Sequence, residues 1–146
     1  MRTTFAQRML LVVALCMCAV PAARAEVRIL ASPGGAVGPY LELFQAVRES
    51  GERVVIDGPC YSACTLVLSI VPRRRICVTR RAVLGFHAAR WLDPYGRTAP
   101  APEASAIVLN AYPRAVRNWI RRRGGLSSRM LLLRGRALAR LYRRCR

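Results

Sequence analysis

Between Glu26 and His87, short apolar runs alternate with helix-patterned segments, and glycine or proline stands at most of the junctions. Residues 26–31 (Glu-Val-Arg-Ile-Leu-Ala) read as a strand through their β-branched side chains. Ser32-Pro33-Gly34-Gly35 then breaks the chain as a turn. A helix is predicted from about residue 38 to 50, with Leu41, Leu43, Phe44 and Val47 on its apolar face and Ser50-Gly51 at its end. Val54, Val55 and Ile56 form a continuous apolar run, as in a strand buried on both faces. Asp57-Gly58-Pro59 turns the chain into a predicted buried helix over 62–71 (Leu66, Val67, Leu68, Ile70), which Pro72 stops. Residues 75–79 and 83–86 read as two further strands, the second leading into His87. Strands alternating with helices predict a parallel sheet, hence an α/β fold. In such sheets functional groups collect at the carboxyl ends of strands. The Gly34-Gly35 turn, Ser62 and His87 all fall at such places.

The rest of the chain is predicted to be helical. Residues 93–103 read as a loop (Pro94, Gly96, Pro100, Pro102), followed by helices over 104–110 and 113–123. The second of these has Pro113 at its first turn and Gly124-Gly125 at its end. Ser127 or Ser128 would cap a last helix carrying Leu131, Leu132, Leu138 and Leu141, weakened by Gly135.

Not all 146 residues are expected to belong to the domain. Residues 1–25 read as a secretory signal: Arg2 and Arg8 precede the apolar run Met9 to Val20, and Ala23-Arg24-Ala25 is a small-x-small cleavage site. That run is too short to span a bilayer comfortably. The expectation is one domain over 26–146, periplasmic or secreted. Cys60, Cys64, Cys77 and Cys145 remain in it, and an even count in an exported chain predicts two disulfides. Three pairings are open. A metal site is not expected, because His87 is the only imidazole and export oxidises thiols. No cofactor motif is found.

The formal charge is +18, and every one of the 25 basic residues is arginine. Clusters stand at Arg73-Arg74-Arg75, Arg80-Arg81, Arg121-Arg122-Arg123 and Arg143-Arg144. They read first as a solvated surface, and then as a surface for anionic envelope components. Nucleic acid is not expected, since the arginines lack the aromatic interleaving of a single-strand platform.

A serine hydroxyl needs a base within hydrogen-bond reach and donors aimed at the developing oxyanion. Ser62 at the start of a helix after a strand exit would be exposed, with free backbone N–H groups beside it. Ala63 N–H is one such donor. A glycine turn lets a second backbone approach closely, which makes Gly35 the other, beside Gly34. His87 is the only ordinary base available. The bland readings are a helix cap for Ser62, a satisfied core-edge histidine for His87 and a plain turn for Gly34-Gly35.

Together, Ser32-Pro33-Gly34-Gly35, Ser62-Ala63 and Gly85-Phe86-His87 resemble the active-site frame of the Clp peptidase family, within the wider Clp/crotonase-like superfamily. The resemblance spans roughly Val27 to Ala89, with Ile76-Cys77-Val78 in the place of the strand before the histidine. It implies a small parallel-sheet Clp/crotonase-like domain, truncated relative to the family, with a helical C-terminal part. It further implies a Ser62 nucleophile, a His87 base and an oxyanion hole from the Gly34-Gly35 turn. The first strand–helix unit of the family is missing, and Cys60 and Cys64 flank the serine. The family's acid follows its histidine. Here Asp93 and Glu103 are the only acids after His87, with Asp93 the candidate third member and Asp57 upstream near Ser62. The Ser–Lys dyad of related signal-peptide peptidases is excluded, because the chain has no lysine.

Two functions follow as expectations. One is an exported, peptidase-like serine hydrolase acting on a peptide or protein. The other is a catalytically inactive Clp-like domain that binds peptides or a partner protein in the cell envelope. Family members assemble into rings, whereas the oligomeric state here is left open.

Overall fold

The computed structural model describes residues 25–146. The predicted signal segment therefore lies, up to residue 24, outside the described residues. The elements run β1 (Glu26–Ile29), α1 (Val37–Ser50), β2 (Arg53–Ile56), β3 (Pro59–Tyr61), a 3₁₀ turn (Ser62–Leu66), α2 (Val67–Ile70), a second 3₁₀ turn (Arg73–Arg75), β4 (Ile76–Val78) and β5 (Val83–Phe86). After them come β6 (Arg90–Leu92), β7 (Thr98–Pro100), α3 (Pro102–Ala111), α4 (Arg114–Arg121), β8 (Leu131–Arg134) and α5 (Gly135–Leu141). The fold is mixed α/β.

The apolar run Val54-Val55-Ile56 sits where its hydrophobicity demands, in the middle of a parallel sheet ordered β1-β2-β4. Val27 stands opposite Val54, and Ile56 lies between Ile29 and Val78. The ladder continues into a second sheet through a bridge from Ser32 to Cys60. There β3 pairs parallel with β5, and β5 pairs antiparallel with β8. Phe44 and Val47 of α1, Val67 and Leu68 of α2, and Val116 and Ile120 of α4 close the core against the strands. Each such side chain, taken fully out of water, is worth about 1.5–3 kcal/mol.

The described residues depart from the sequence expectations in four places, the first being that Pro59, read as part of a turn, opens strand β3. Residues 131–134 form a strand, not part of a helix. Leu133 faces Leu84 across the β5–β8 pair and is completely buried, while Leu132 stays 43% exposed. Alternation of inside and outside is the strand period, and Gly135, at φ +59°, turns the chain from this strand into α5. The segment 62–71 is split into the 3₁₀ turn and one short α-helical turn. The loop over 93–103 is largely the second half of a hairpin, β6 with β7. Asp93 accepts the amides of Tyr95 and Arg97 in its turn, and Gly96 supplies φ +78°.

Two disulfides form among the three possible sets: Cys60–Cys64 and Cys77–Cys145. The second fastens the chain end along β4, where Val78 N–H donates to Arg143 O and Cys145 N–H donates to Val78 O. Asp57, which is buried, ties three strand ends together. It accepts from Arg28 at 3.0 Å, from Thr79 at 2.7 Å and from Arg81 at 2.7 Å. Those partners, Arg81 and Thr79 first and then Arg28, hold its carboxyl far below the ordinary carboxylate range against the opposing effect of burial. Asp57 is thus a structural counter-ion, with its hydrogen bonds spent away from Ser62. No described helix is long and apolar enough to cross a membrane.

Candidate active site

The Ser32-Pro33-Gly34-Gly35 turn is strapped onto the strand that delivers Ser62. Ser32 N–H donates to Pro59 O at 2.8 Å, and Tyr61 N–H donates to Ser32 O at 3.0 Å. The Ser32 hydroxyl also shares a 2.7 Å hydrogen bond with the Tyr40 hydroxyl of α1. This brings the glycines against the serine. A side chain at Gly34 would stand 2.5 Å from Ser62 Cβ and 2.6 Å from Tyr61 O, and its φ is +86°. Only glycine meets both conditions.

Ser62 itself has φ +54° and is the one non-glycine residue with positive φ among the described residues. Such a conformation costs on the order of 1–3 kcal/mol and has to be imposed by the surroundings. Three features impose it: the strand β3 before it, the 3₁₀ turn after it and the Cys60–Cys64 bridge across it. A fourth lies beneath. Thr65, fully buried, donates its hydroxyl proton to the Ser62 carbonyl at 2.6 Å. Its oxygen lies 2.6 Å from the Tyr112 hydroxyl, so Tyr112 donates to Thr65. Burial pushes the Tyr112 phenol up to about 12, which keeps that proton in place.

His87 follows β5, whose Gly85 leaves room for the Tyr61 ring and the Met130 sulfur; a Cβ there would meet them at 2.5 and 2.8 Å. Its Nδ1 lies 2.7 Å from Ala88 O. A carbonyl only accepts, so Nδ1 carries the proton and Nε2 of the neutral ring is left as the basic nitrogen. The strand beyond is pinned: Ala88 N–H donates to Ser127 O, and Ala89 N–H donates to the Ser105 hydroxyl.

One pocket of about 220 Å³ gathers these groups. Ser62, Ala63, Gly35 and His87 line it, with Tyr112 and Arg90 among the other walls. Gly35 N–H donates to no backbone carbonyl among the described residues, and Ala63 stands at the second position of the 3₁₀ turn, where N–H groups lack helical partners. Ser62 and Ala63, the Gly34-Gly35 turn and His87 are therefore in one place. Ser62 and His87 share no hydrogen bond among the described residues.

Asp93 is not brought onto the histidine by any hydrogen bond. Its carboxylate accepts from the Arg97 amide at 2.8 Å, from Arg97 Nε at 2.6 Å and from the Tyr95 amide at 2.9 Å, and these hold its carboxyl below the ordinary value against the opposing effect of burial. The place of an acid on Nδ1 is taken by the Ala88 carbonyl. Among the described residues no cluster of His, Cys, Asp or Glu is suited to hold a metal ion.

Thr65, Tyr112 and Ser105 escaped the sequence reading. Their polar atoms matter only through contacts 47 residues away for Thr65 with Tyr112, and 16 for Ser105 with Ala89. No protein-family model matches the chain, and no curated protein matches it.

Proposed function

We propose that this chain is an exported serine hydrolase of peptidase type, in line with its resemblance to the Clp/crotonase-like superfamily. The observation that carries the reading is Ser62, held at positive φ at the mouth of a pocket it shares with His87 and two unused backbone donors. A strained turn that projects the serine hydroxyl is the device of a nucleophile elbow. In the first step the Ser62 hydroxyl adds to the substrate carbonyl carbon, and His87 Nε2 takes its proton. The carbonyl oxygen becomes an oxyanion received by the N–H groups of Gly35 and Ala63. Collapse breaks the carbon–nitrogen bond, and His87 returns the proton to the departing amine. Water then hydrolyses the ester on Ser62 with His87 again as base.

With a carbonyl in place of a carboxylate on Nδ1, the ring is oriented while its charged form lacks an anionic partner. Losing such a carboxylate lowers turnover by about 10⁴ in a full triad, so slow chemistry is expected. The test is covalent labelling of the oxidised 26–146 protein with a fluorophosphonate. Label on the wild type that disappears in Ser62→Ala and in His87→Ala supports the reading. The absence of a direct Ser62–His87 hydrogen bond favours a second one, a silent domain that holds a peptide in the same pocket. Folded wild-type protein that takes no label turns the assignment to that binder.

A further inference from the structure

We infer that the basin formed by Arg48, Arg53, Arg74, Arg75 and Arg143 is a binding site for an anionic phosphate group, separate from the Ser62 pocket. The basin encloses about 820 Å³ and contains no carboxylate in its lining. Its five arginines come from four separate segments: the end of α1, the start of β2, the 3₁₀ turn before β4 and the chain end. Arg143 arrives only because the Cys77–Cys145 bridge and the Val78 hydrogen bonds lay the chain end beside β4.

None of the five takes part in an ion pair among the described residues. The acids nearest in sequence are turned to other work: Glu49 accepts from Gln45, and Glu52 accepts from the Ser50 hydroxyl. Arg75 is anchored by donating to Val47 O and Arg48 O at the carboxyl end of α1. That contact offsets the partial negative charge of the helix end, which would otherwise oppose an anion there. The Nε atoms of Arg53 and Arg75 are buried and have no hydrogen-bond partner. Those two nitrogens are shielded from the basin, whereas the exposed guanidinium groups of Arg48, Arg74 and Arg143 line it with no carboxylate partner, and such planar forks match phosphate oxygens two at a time. Converging like charges in a concave surface also focus the potential and concentrate anions. A phosphate group suits the exposed arginines of the basin: it supplies acceptors, charge and bidentate geometry. Its source is either a free polyphosphate or the headgroup of an anionic lipid.

The experiment uses the oxidised 26–146 protein and two probes. Tripolyphosphate is titrated by calorimetry at low and raised salt. Vesicles of phosphatidylcholine, with and without phosphatidylglycerol, are tested by co-sedimentation. Each is repeated with Arg53→Gln/Arg74→Gln/Arg143→Gln and with a control of equal charge loss, Arg122→Gln/Arg136→Gln/Arg140→Gln. The expected result is an affinity loss of roughly tenfold or more in the basin variant and little change in the control, for at least one probe. Loss confined to tripolyphosphate identifies a free ligand, and loss on phosphatidylglycerol vesicles identifies a headgroup. If the triple variant misfolds, Arg74→Gln/Arg143→Gln replaces it, since both side chains are exposed. Equal loss in basin and control variants, or no binding of either probe by the wild type, overturns the site.

Discussion

Ser62 and Gly34 are two halves of one device. The serine adopts a left-handed backbone that its side chain disfavours, and the glycine makes space for the serine's Cβ. Gly34→Ala would force both segments apart and place a Cβ at φ +86°. The expected outcome is a stability loss of roughly 2 kcal/mol or more, by chemical denaturation, together with loss of fluorophosphonate label. Tyr112→Phe probes the same backbone from below. It removes the hydrogen bond to Thr65 and should cost about 1 kcal/mol. If Tyr112 only fills space, labelling per folded molecule stays at the wild-type rate; if it positions Ser62 through Thr65, that rate falls. The sequence placed Ser62 and His87 as candidates by residue type and spacing. Thr65 and Tyr112 carry no comparable signal, because a threonine in a short helix and a tyrosine before a proline are ordinary residues.

The elements read best from sequence are those with a local cause. Helix α1 runs Val37–Ser50 between a glycine turn and Gly51, which closes it at φ +79°. Strand β2 is a bare apolar run. From sequence alone residues 131–134 look helical, because Leu131, Leu132 and Leu133 carry no period of their own; pairing with β5 imposes one. Leu133→Ala empties a fully buried site and should cost 2–5 kcal/mol, measured by denaturant unfolding. The two disulfides act on different scales. Cys60–Cys64 spans 4 residues and constrains only the Ser62 turn, whereas Cys77–Cys145 spans 68 and restricts the unfolded chain. Loop-closure entropy puts the loss for Cys77→Ser/Cys145→Ser at about 4 kcal/mol. That variant should melt well below the wild type under oxidising conditions, and its phosphate affinity should fall because Arg143 is released.

At the level of the whole molecule, a strongly basic chain uses one of its seven acids, Asp57, to hold strands together. Asp57, at the end of β2, pairs with Arg28 of β1 and with Arg81, which follows β4. Its folded-state pKa lies below the unfolded value, so its contribution is complete above about pH 4 and is lost as pH falls through and below that value. Thermal melts should show stability declining with acid in that window. Asp57→Asn should lower the melting temperature at neutral pH and reduce the slope of that decline. An unchanged slope would mean that other carboxylates carry it.

By itself the sequence determined the α/β class, the places of β1, α1, β2, β4 and β5, and an oxidised cysteine set, because these follow from local apolar periodicity, turn residues and cysteine count. Only the tertiary structure decided which cysteines pair, that residues 131–134 form a strand, that Asp57 and Asp93 spend their charge on neighbouring arginines, and that five arginines share one basin. Each of those depends on segments distant in the chain being packed side by side. Contacts of that kind leave no periodicity in the residues that make them.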